Sequence, residues 1–287
     1  MRVARTHKQL NEALGEHRRV GHSTGLVPTM GALHEGHLSL LRAARTRCDV
    51  VLMSLFVNPL QFTDASDLEK YPRDEERDLE LAAVEGCDLV FAPEVDEMFP
   101  PGASTTVSVG PALTEVLEGE SRPGHFDGVA TVVAKLFNVT RPDVVFFGQK
   151  DAQQVAVIRR LIVDLRYPIE LAIGPIVRDP DGLALSSRNV HLTPADRKAA
   201  LSLSAALAAG ADVHTAGGDI EEVEKKMWDV LTSAEGVEVD YARVVDPITF
   251  GRPGDSELLL AVAARVGTIR LIDNMLMDVR GKEAAPQ

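Results

Sequence analysis

Basic charge, cysteine and long apolar runs are all scarce in this chain of 287 residues. Thirty Lys and Arg stand against 43 Asp and Glu, for a net charge of −13. A chain this acidic lacks the basic face that non-specific nucleic-acid binding needs. No apolar run approaches the ~18–20 residues of a membrane helix, and Met1-Arg2-Val3-Ala4-Arg5 carries no apolar signal core. The expectation is a cytoplasmic protein with neither a membrane nor a nucleic acid as partner. Cys48 and Cys87 have no CxxC partner and no His at zinc spacing. That argues against a disulfide or zinc framework and reads as two buried thiols in a reducing compartment.

What the chain does have is an ordinary globular balance, 45% hydrophobic and 25% charged. Its length suits one large domain or two that share an interface. The charge is unevenly spread. Residues 61–100 hold thirteen acidic and three basic side chains, whereas residues 28–47 and 148–160 each hold three basic and one acidic. An anion site is therefore expected outside the acidic stretch.

Strand-like and helix-period segments alternate through the first two thirds. Strands are expected at 25–29, 49–57, 88–91, 143–147 and 169–173, with a further one at 105–109. Helices are expected at 34–46, 73–85, 128–139 and 152–165. Residues Val129, Val132, Val133, Leu136 and Phe137 make a core-facing stripe. Such alternation predicts βα units, a mostly parallel sheet and helices on both faces. After about residue 176 the pattern changes. Thr193-Pro194 starts a helix that should end near Gly210, Gly217-Gly218-Asp219 opens another to about 233, and strands follow at 237–245, 258–264 and 268–271. The expected organisation is a first domain over 1–176 and a smaller α+β domain over 177–287.

Three of four candidate segments sit where strands end, which is where ligands bind in a doubly wound sheet, and the third in order lies just past the domain boundary. The first is PTMGALHEGH at 28–37. Gly31 and Gly36 allow close backbone approach, the helix start favours phosphate, and His34 and His37 share one side of the first turn. Two imidazoles there can hydrogen-bond phosphate oxygens and offset developing charge. Taken alone, the pair reads as well as two solvated histidines; a zinc reading lacks a third ligand. The second is GQKDAQQ at 148–154, with Lys150 as a point charge for phosphate, Asp151 as a cap or hydroxyl partner, and Gln154 for a substrate hydroxyl or carboxylate. The third, LSSRN at 185–189, offers two hydroxyls and an Arg as an anion clamp, or a polar turn. The fourth, FVNPLQF at 56–62, places Asn58 and Gln61 beside apolar groups, suiting a small hydroxy acid, or is a strand-ending Asn-Pro turn. A fifth, RPGHFDG at 122–128, reads equally as a ligand-facing loop or a connection.

These segments, with GVATVV following RPGHFD and RPDVVF preceding FGQKDAQQ, resemble in order and spacing the pantothenate synthetase (pantoate–β-alanine ligase) family over about residues 20–272. His34-Glu35-Gly36-His37 is similar to the HxGH signature of the wider nucleotidylyltransferase superfamily, and Leu185-Ser186-Ser187-Arg188 stands at its KMSKS-like loop. The resemblance implies a Rossmann-like doubly wound α/β domain, with the smaller C-terminal domain closing over the ATP site. It implies ATP-dependent condensation of pantoate with β-alanine through pantoyl adenylate, yielding AMP and pyrophosphate, in a Mg²⁺-dependent cytosolic homodimer. By the same resemblance Met30, Gly31, Ala32, Leu33, His34, Glu35, Gly36 and His37 line the ATP site, with His37 as proton donor. Gly148, Gln149, Lys150 and Asp151 contact ATP, Lys150 on its phosphates, and Val177, Leu185, Ser186, Ser187 and Arg188 complete that site. Gln61 contacts pantoate and β-alanine, and Gln154 contacts pantoate. His34, His37, Lys150 and Arg188 form the expected catalytic set, and Asp78 is a candidate for a metal contact. Leu185, Gln149 and Ala152 depart from the family's usual Met, acidic residue and Tyr. Rival readings are another adenylyl-transferring member of the superfamily and a catalytically silent adenine-nucleotide sensor.

Overall fold

The computed structural model describes residues 1–63, 65–254 and 257–278. Contacts divide the chain into two compact units, Met1–Gly148 with Val157–Gly174, and Gln149–Ala156 with Pro175–Gln287.

The first unit is built on six parallel strands: β1 (Arg2–Ala4), β2 (Thr24–Thr29), β3 (Val50–Leu55), β4 (Leu89–Phe91), β5 (Val144–Gly148) and β6 (Glu170–Gly174). Their order across the sheet is β1-β4-β3-β2-β5-β6. After β2 the chain moves to β3 on one side and later returns to β5 on the other. The direction of winding therefore reverses between β2 and β5, and the crevice beyond their carboxyl ends is the ligand position of such sheets. Helices α1 (His7–Arg19), α2 (Glu35–Arg47), α3 (Glu75–Val84), α4 (His125–Thr140) and α5 (Ala152–Asp164) accompany the strands. The core strands are apolar on both faces, as a covered parallel sheet requires. Leu26, Val27, Val51, Leu52 and Met53 have no solvent exposure.

The second unit carries β7 (Val237–Val245), β8 (Glu257–Val266) and β9 (Ile269–Asp278) in one antiparallel sheet, with α6 (Pro194–Thr215) and α7 (Ile220–Thr232). Leu203, Leu207, Met227 and Leu231 of the helices pack with Leu260, Val262 and Ala264 of β8. Reciprocal capping boxes start both helices, Thr193 with Asp196 and Asp219 with Glu222.

Three sequence expectations fail here for physical reasons. Residues 105–109 form no strand; the Val107 N–H donates instead to the Thr131 hydroxyl at 2.9 Å. Helix α6 does not stop at Gly210 but runs to Thr215. A Cβ at 210 would lie 2.7 Å from Met227 Cγ, so this glycine permits close helix packing rather than ending the helix. Strand β9 extends through Asp273 and Asn274, buried polar residues that break the apolar pattern. Helix α1, absent from the sequence expectation, is started by a Thr6–Gln9 capping box.

Candidate active site

Immediately after β2 the backbone enters the left-handed region twice, at Gly31 (φ 87°) and Ala32 (φ 50°). Consecutive twists of this kind turn successive N–H groups toward one point, which makes an anion cradle. The occupant is a side chain of α3. Asp78 accepts from the Ala32 N–H through Oδ2 and from the Leu33 N–H through Oδ1, each at 2.8 Å. The carboxyl is 1% exposed, and burial pushes it above the usual carboxylate range although both backbone bonds pull the other way. A Cβ at Gly31 would come within 2.8 Å of Asp78 Oδ2. Asp78, the metal candidate of the sequence, is thus a brace of this turn with both oxygens engaged.

The turn delivers His34 and His37 to the start of α2. His34 is the N-cap: its Nδ1 accepts from the Gly36 N–H at 3.1 Å, while His37 Nδ1 accepts from the His34 N–H at 3.3 Å. The two rings therefore form a capping box, a role usually taken by hydroxyl and carboxylate groups. Their centroids lie 4.1 Å apart. With each Nδ1 accepting, the ring proton of the neutral form sits on Nε2. Gly36 is what allows this arrangement. A Cβ there would lie 2.9 Å from His34 Cε1 and 3.0 Å from Nδ1. Glu35 turns outward and pairs with Arg42, which also bonds Glu85 at 2.6 Å. Met30 is half-buried and Leu33 buried, lining the turn rather than adding charge to it.

Beyond β3, Asn58 caps a short helical turn, Pro59–Gln61, that ends on Gln61. Asn58 is 1% exposed. Its Oδ1 accepts from the Leu60 N–H at 3.3 Å, and its Nδ2 donates at 3.0 Å to both the Gly128 carbonyl and Gln61 Oε1. The backbone partners fix the Asn58 amide, and the Asn58 amide then fixes that of Gln61, whose Nε2 is left as the donor end. Asn58, expected as a substrate contact, also holds the Gln61 amide in place. The RPGHFDG segment joins the same assembly. His125 Nδ1 donates to the Gln61 carbonyl at 2.7 Å, and Arg122 Nη2 reaches the same oxygen at 3.1 Å. Gly128 lets α4 press against this turn, because a Cβ would fall 2.3 Å from the Leu60 carbonyl oxygen. This task is not visible in the sequence, because the contact joins positions 64 residues apart.

Gly148 ends β5, and the rest of the GQKD segment belongs to the second unit as a short turn, Gln149–Asp151. Lys150 Nζ lies 3.6 Å from Asp151 Oδ1, and both side chains are partly exposed. Gln154 is half-buried on α5. Val177 and Leu185 face each other across a hairpin, the Leu185 N–H donating to the Val177 carbonyl at 2.9 Å. Ser186 caps the following turn, Ser187–His191, by accepting from the Arg188 N–H at 3.3 Å. Among the described residues, no cluster of three or more His, Cys, Asp or Glu could hold a metal ion. Cys48 and Cys87 are buried, as expected.

A parallel sheet that reverses its winding beside a strand followed by an imidazole-capped helix defines an α/β enzyme of the nucleotide-binding class. The sequence profile of the pantoate–β-alanine ligases matches residues 2–276, and the chain belongs to that family. It is a ligase that joins pantoate to β-alanine in pantothenate biosynthesis. The pantothenate synthetase of Moorella thermoacetica is 54% identical over 266 residues, covering 91% of this chain and 93% of its own. That of Heliobacterium modesticaldum is 49% identical, covering 97% and 100%. The crystal structure of the Thermus thermophilus enzyme superposes with a TM-score of 0.92 at 44% identity, covering 97% and 99%. The Francisella tularensis pantoate–β-alanine ligase complexed with β-γ ATP and β-alanine gives 0.79 at 33%, covering 96% and 97%. No described helix is long and apolar enough to cross a membrane.

Proposed function

We propose that the reaction runs through two half-reactions with MgATP as the nucleotide substrate. In the first, a carboxylate oxygen of pantoate attacks the α-phosphorus in line, the bond to the β-phosphate oxygen breaks, and pyrophosphate leaves. A carboxylate is already nucleophilic at neutral pH, so the step needs positioning and charge stabilisation rather than a base. In the second, the neutral amine of β-alanine attacks the acyl carbon of pantoyl adenylate. The acyl C–O bond breaks, AMP departs, and the amine loses a proton as the amide forms.

The capping pair at 34 and 37 is the observation that carries this reading. Each ring is oriented by a backbone N–H at its Nδ1, which fixes both imidazoles at a helix start, where phosphate oxygens are favoured. His37 is the proton donor, and His34, Lys150 and Arg188 stabilise phosphate charge. Residues 30–37, 148–151, 177 and 185–188 bind ATP, while Gln61 and Gln154 hold the small substrates. The preset Nε2 of Gln61 suits the hydroxyl and carboxylate oxygens of pantoate and β-alanine. Mg²⁺ would be held chiefly by the nucleotide's own phosphate oxygens, where it would offset their charge. Residues 1–176 act as the nucleotide and substrate domain and 177–287 as the smaller domain, in a cytoplasmic homodimer.

The test is product stoichiometry. The purified chain with ATP, Mg²⁺, pantoate and β-alanine should yield pantothenate, AMP and pyrophosphate in equal amounts. ADP and phosphate as products would overturn it. A different preferred acid acceptor would place the chain elsewhere in adenylyl transfer, and binding of ATP without turnover would favour a sensor.

A further inference from the structure

Strand β9 holds two consecutive buried polar residues, Asp273 (3% exposed) and Asn274 (4%), in a sheet whose other buried residues are apolar. Burying such groups is costly unless every valence is met, and here each is met by a segment of the proposed nucleotide site. Asn274 Nδ2 donates to the Gln149 carbonyl at 3.1 Å and to the Lys150 carbonyl at 2.9 Å, while its Oδ1 accepts from Gln149 Nε2 at 3.2 Å. All three bonds of this carboxamide fall on two adjacent residues, one of them the lysine. Asn274 is itself held, since its N–H donates to Asp273 Oδ1 at 2.8 Å. The Asp273 carboxylate in turn forms a bidentate pair with Arg178 at 2.6 and 2.9 Å, at the base of the 177–185 hairpin.

We infer that Asn274 is a positioning residue for the ligase reaction: it clamps the Gln149–Lys150 backbone so that the Lys150 ammonium is held where phosphate charge develops. The inference rests on the role proposed for Lys150. The turn it clamps has only three residues, and within it the Lys150 ammonium lies 3.6 Å from Asp151 Oδ1, so the backbone that Asn274 holds sets where both of these side chains start. A displacement of about 1 Å in such a group costs up to ~100-fold in rate. The clamp also depends on amide chemistry. Aspartate would present acceptors to two carbonyl oxygens, and a hydroxyl could donate to only one of them.

The experiment is a double-mutant cycle on the full chain, with kcat and KM read for ATP, pantoate and β-alanine and folding followed by circular dichroism. Lys150→Ala should lower kcat at least ~100-fold. Asn274→Ala should lower kcat roughly 10- to 100-fold, with the KM for β-alanine changed less than about threefold. Lys150→Ala/Asn274→Ala should turn over within about threefold of Lys150→Ala alone, because a clamp has nothing to position once the ammonium is gone. Asn274→Ser, which keeps one donor, should fall between wild type and Asn274→Ala, and it carries the test should the alanine variant fail to fold. A folded Asn274→Ala or Asn274→Ser within about threefold of wild-type kcat would overturn the inference while leaving Lys150 in place. Losses that multiply in the double variant would overturn it too. Wild-type turnover by Lys150→Ala would instead remove the lysine, and with it the reading on which the clamp depends.

Discussion

Replacing Gly36 by alanine separates the stability of α2 from the placement of His34. A Cβ at this position falls 2.9 Å from His34 Cε1 and 3.0 Å from its Nδ1. Carbon atoms in contact sit about 3.5–4.0 Å apart, so the ring must withdraw by roughly 0.5–1 Å or swing away. The obstruction is the far end of a flexible side chain, so the ring moves rather than the helix. Its withdrawal breaks the 3.1 Å bond from the Gly36 N–H. Losing an N-cap costs about 0.5–2 kcal/mol, and alanine in place of glycine returns about 0.8–1 kcal/mol of helix propensity. The net change in stability should stay within about 1 kcal/mol. Activity should behave differently. Displacing one preorganised donor lowers kcat by ~10²- to 10³-fold. The assay pairs urea unfolding with steady-state pantothenate formation at saturating substrates. A variant that keeps more than a third of wild-type kcat would refute the claim that the ring works where the capping box holds it. Destabilisation beyond about 3 kcal/mol would refute the claim that the ring, and not the backbone, yields.

Three further outcomes are expected. Asp78→Ala removes the carboxylate that the part-buried Ala32 and buried Leu33 N–H groups share, so the urea midpoint should fall by the equivalent of about 2–5 kcal/mol at unchanged m value; a loss under about 1 kcal/mol would contradict its role as brace. His37→Ala should lower kcat at least ~100-fold with native circular dichroism, and a loss under tenfold would remove it from the catalytic set. Burial raises both thiols, Cys87 to about 11, so at pH 8 the native chain should be inert to a thiol-disulfide reagent for minutes and yield two equivalents once unfolded in guanidinium. Rapid native labelling would contradict their placement.

The parallel sheet was legible because strand and helix periods alternate cleanly, and five of its six strands stand where the apolar runs put them. The first, β1, has three residues, too few to show a period. The end of β9 was hidden because Asp273 and Asn274 answer to partners far away in sequence, which an apolar pattern does not register. The site was legible as segments, since glycines, imidazoles and amides gather at strand ends. The division of labour within it was not. Asn58 and Asp78 are polar residues near a ligand-binding turn, which in sequence looks like contact with the ligand. Only the hydrogen bonds show that Asn58 also binds Gly128, Leu60 and Gln61, and that Asp78 also braces the Ala32 and Leu33 N–H groups. The net charge of −13 is likewise no guide to the anion site, because residues 61–100 carry most of it.

Pantoate-dependent exchange of labelled pyrophosphate into ATP, run with the wild-type chain and Mg²⁺ but without β-alanine, tests the adenylate most directly. If the carboxylate of pantoate attacks the α-phosphorus first, label should enter ATP only when pantoate is present, and His37→Ala should slow that entry at least ~100-fold. An absence of exchange from an enzyme that still makes pantothenate would contradict the adenylate mechanism.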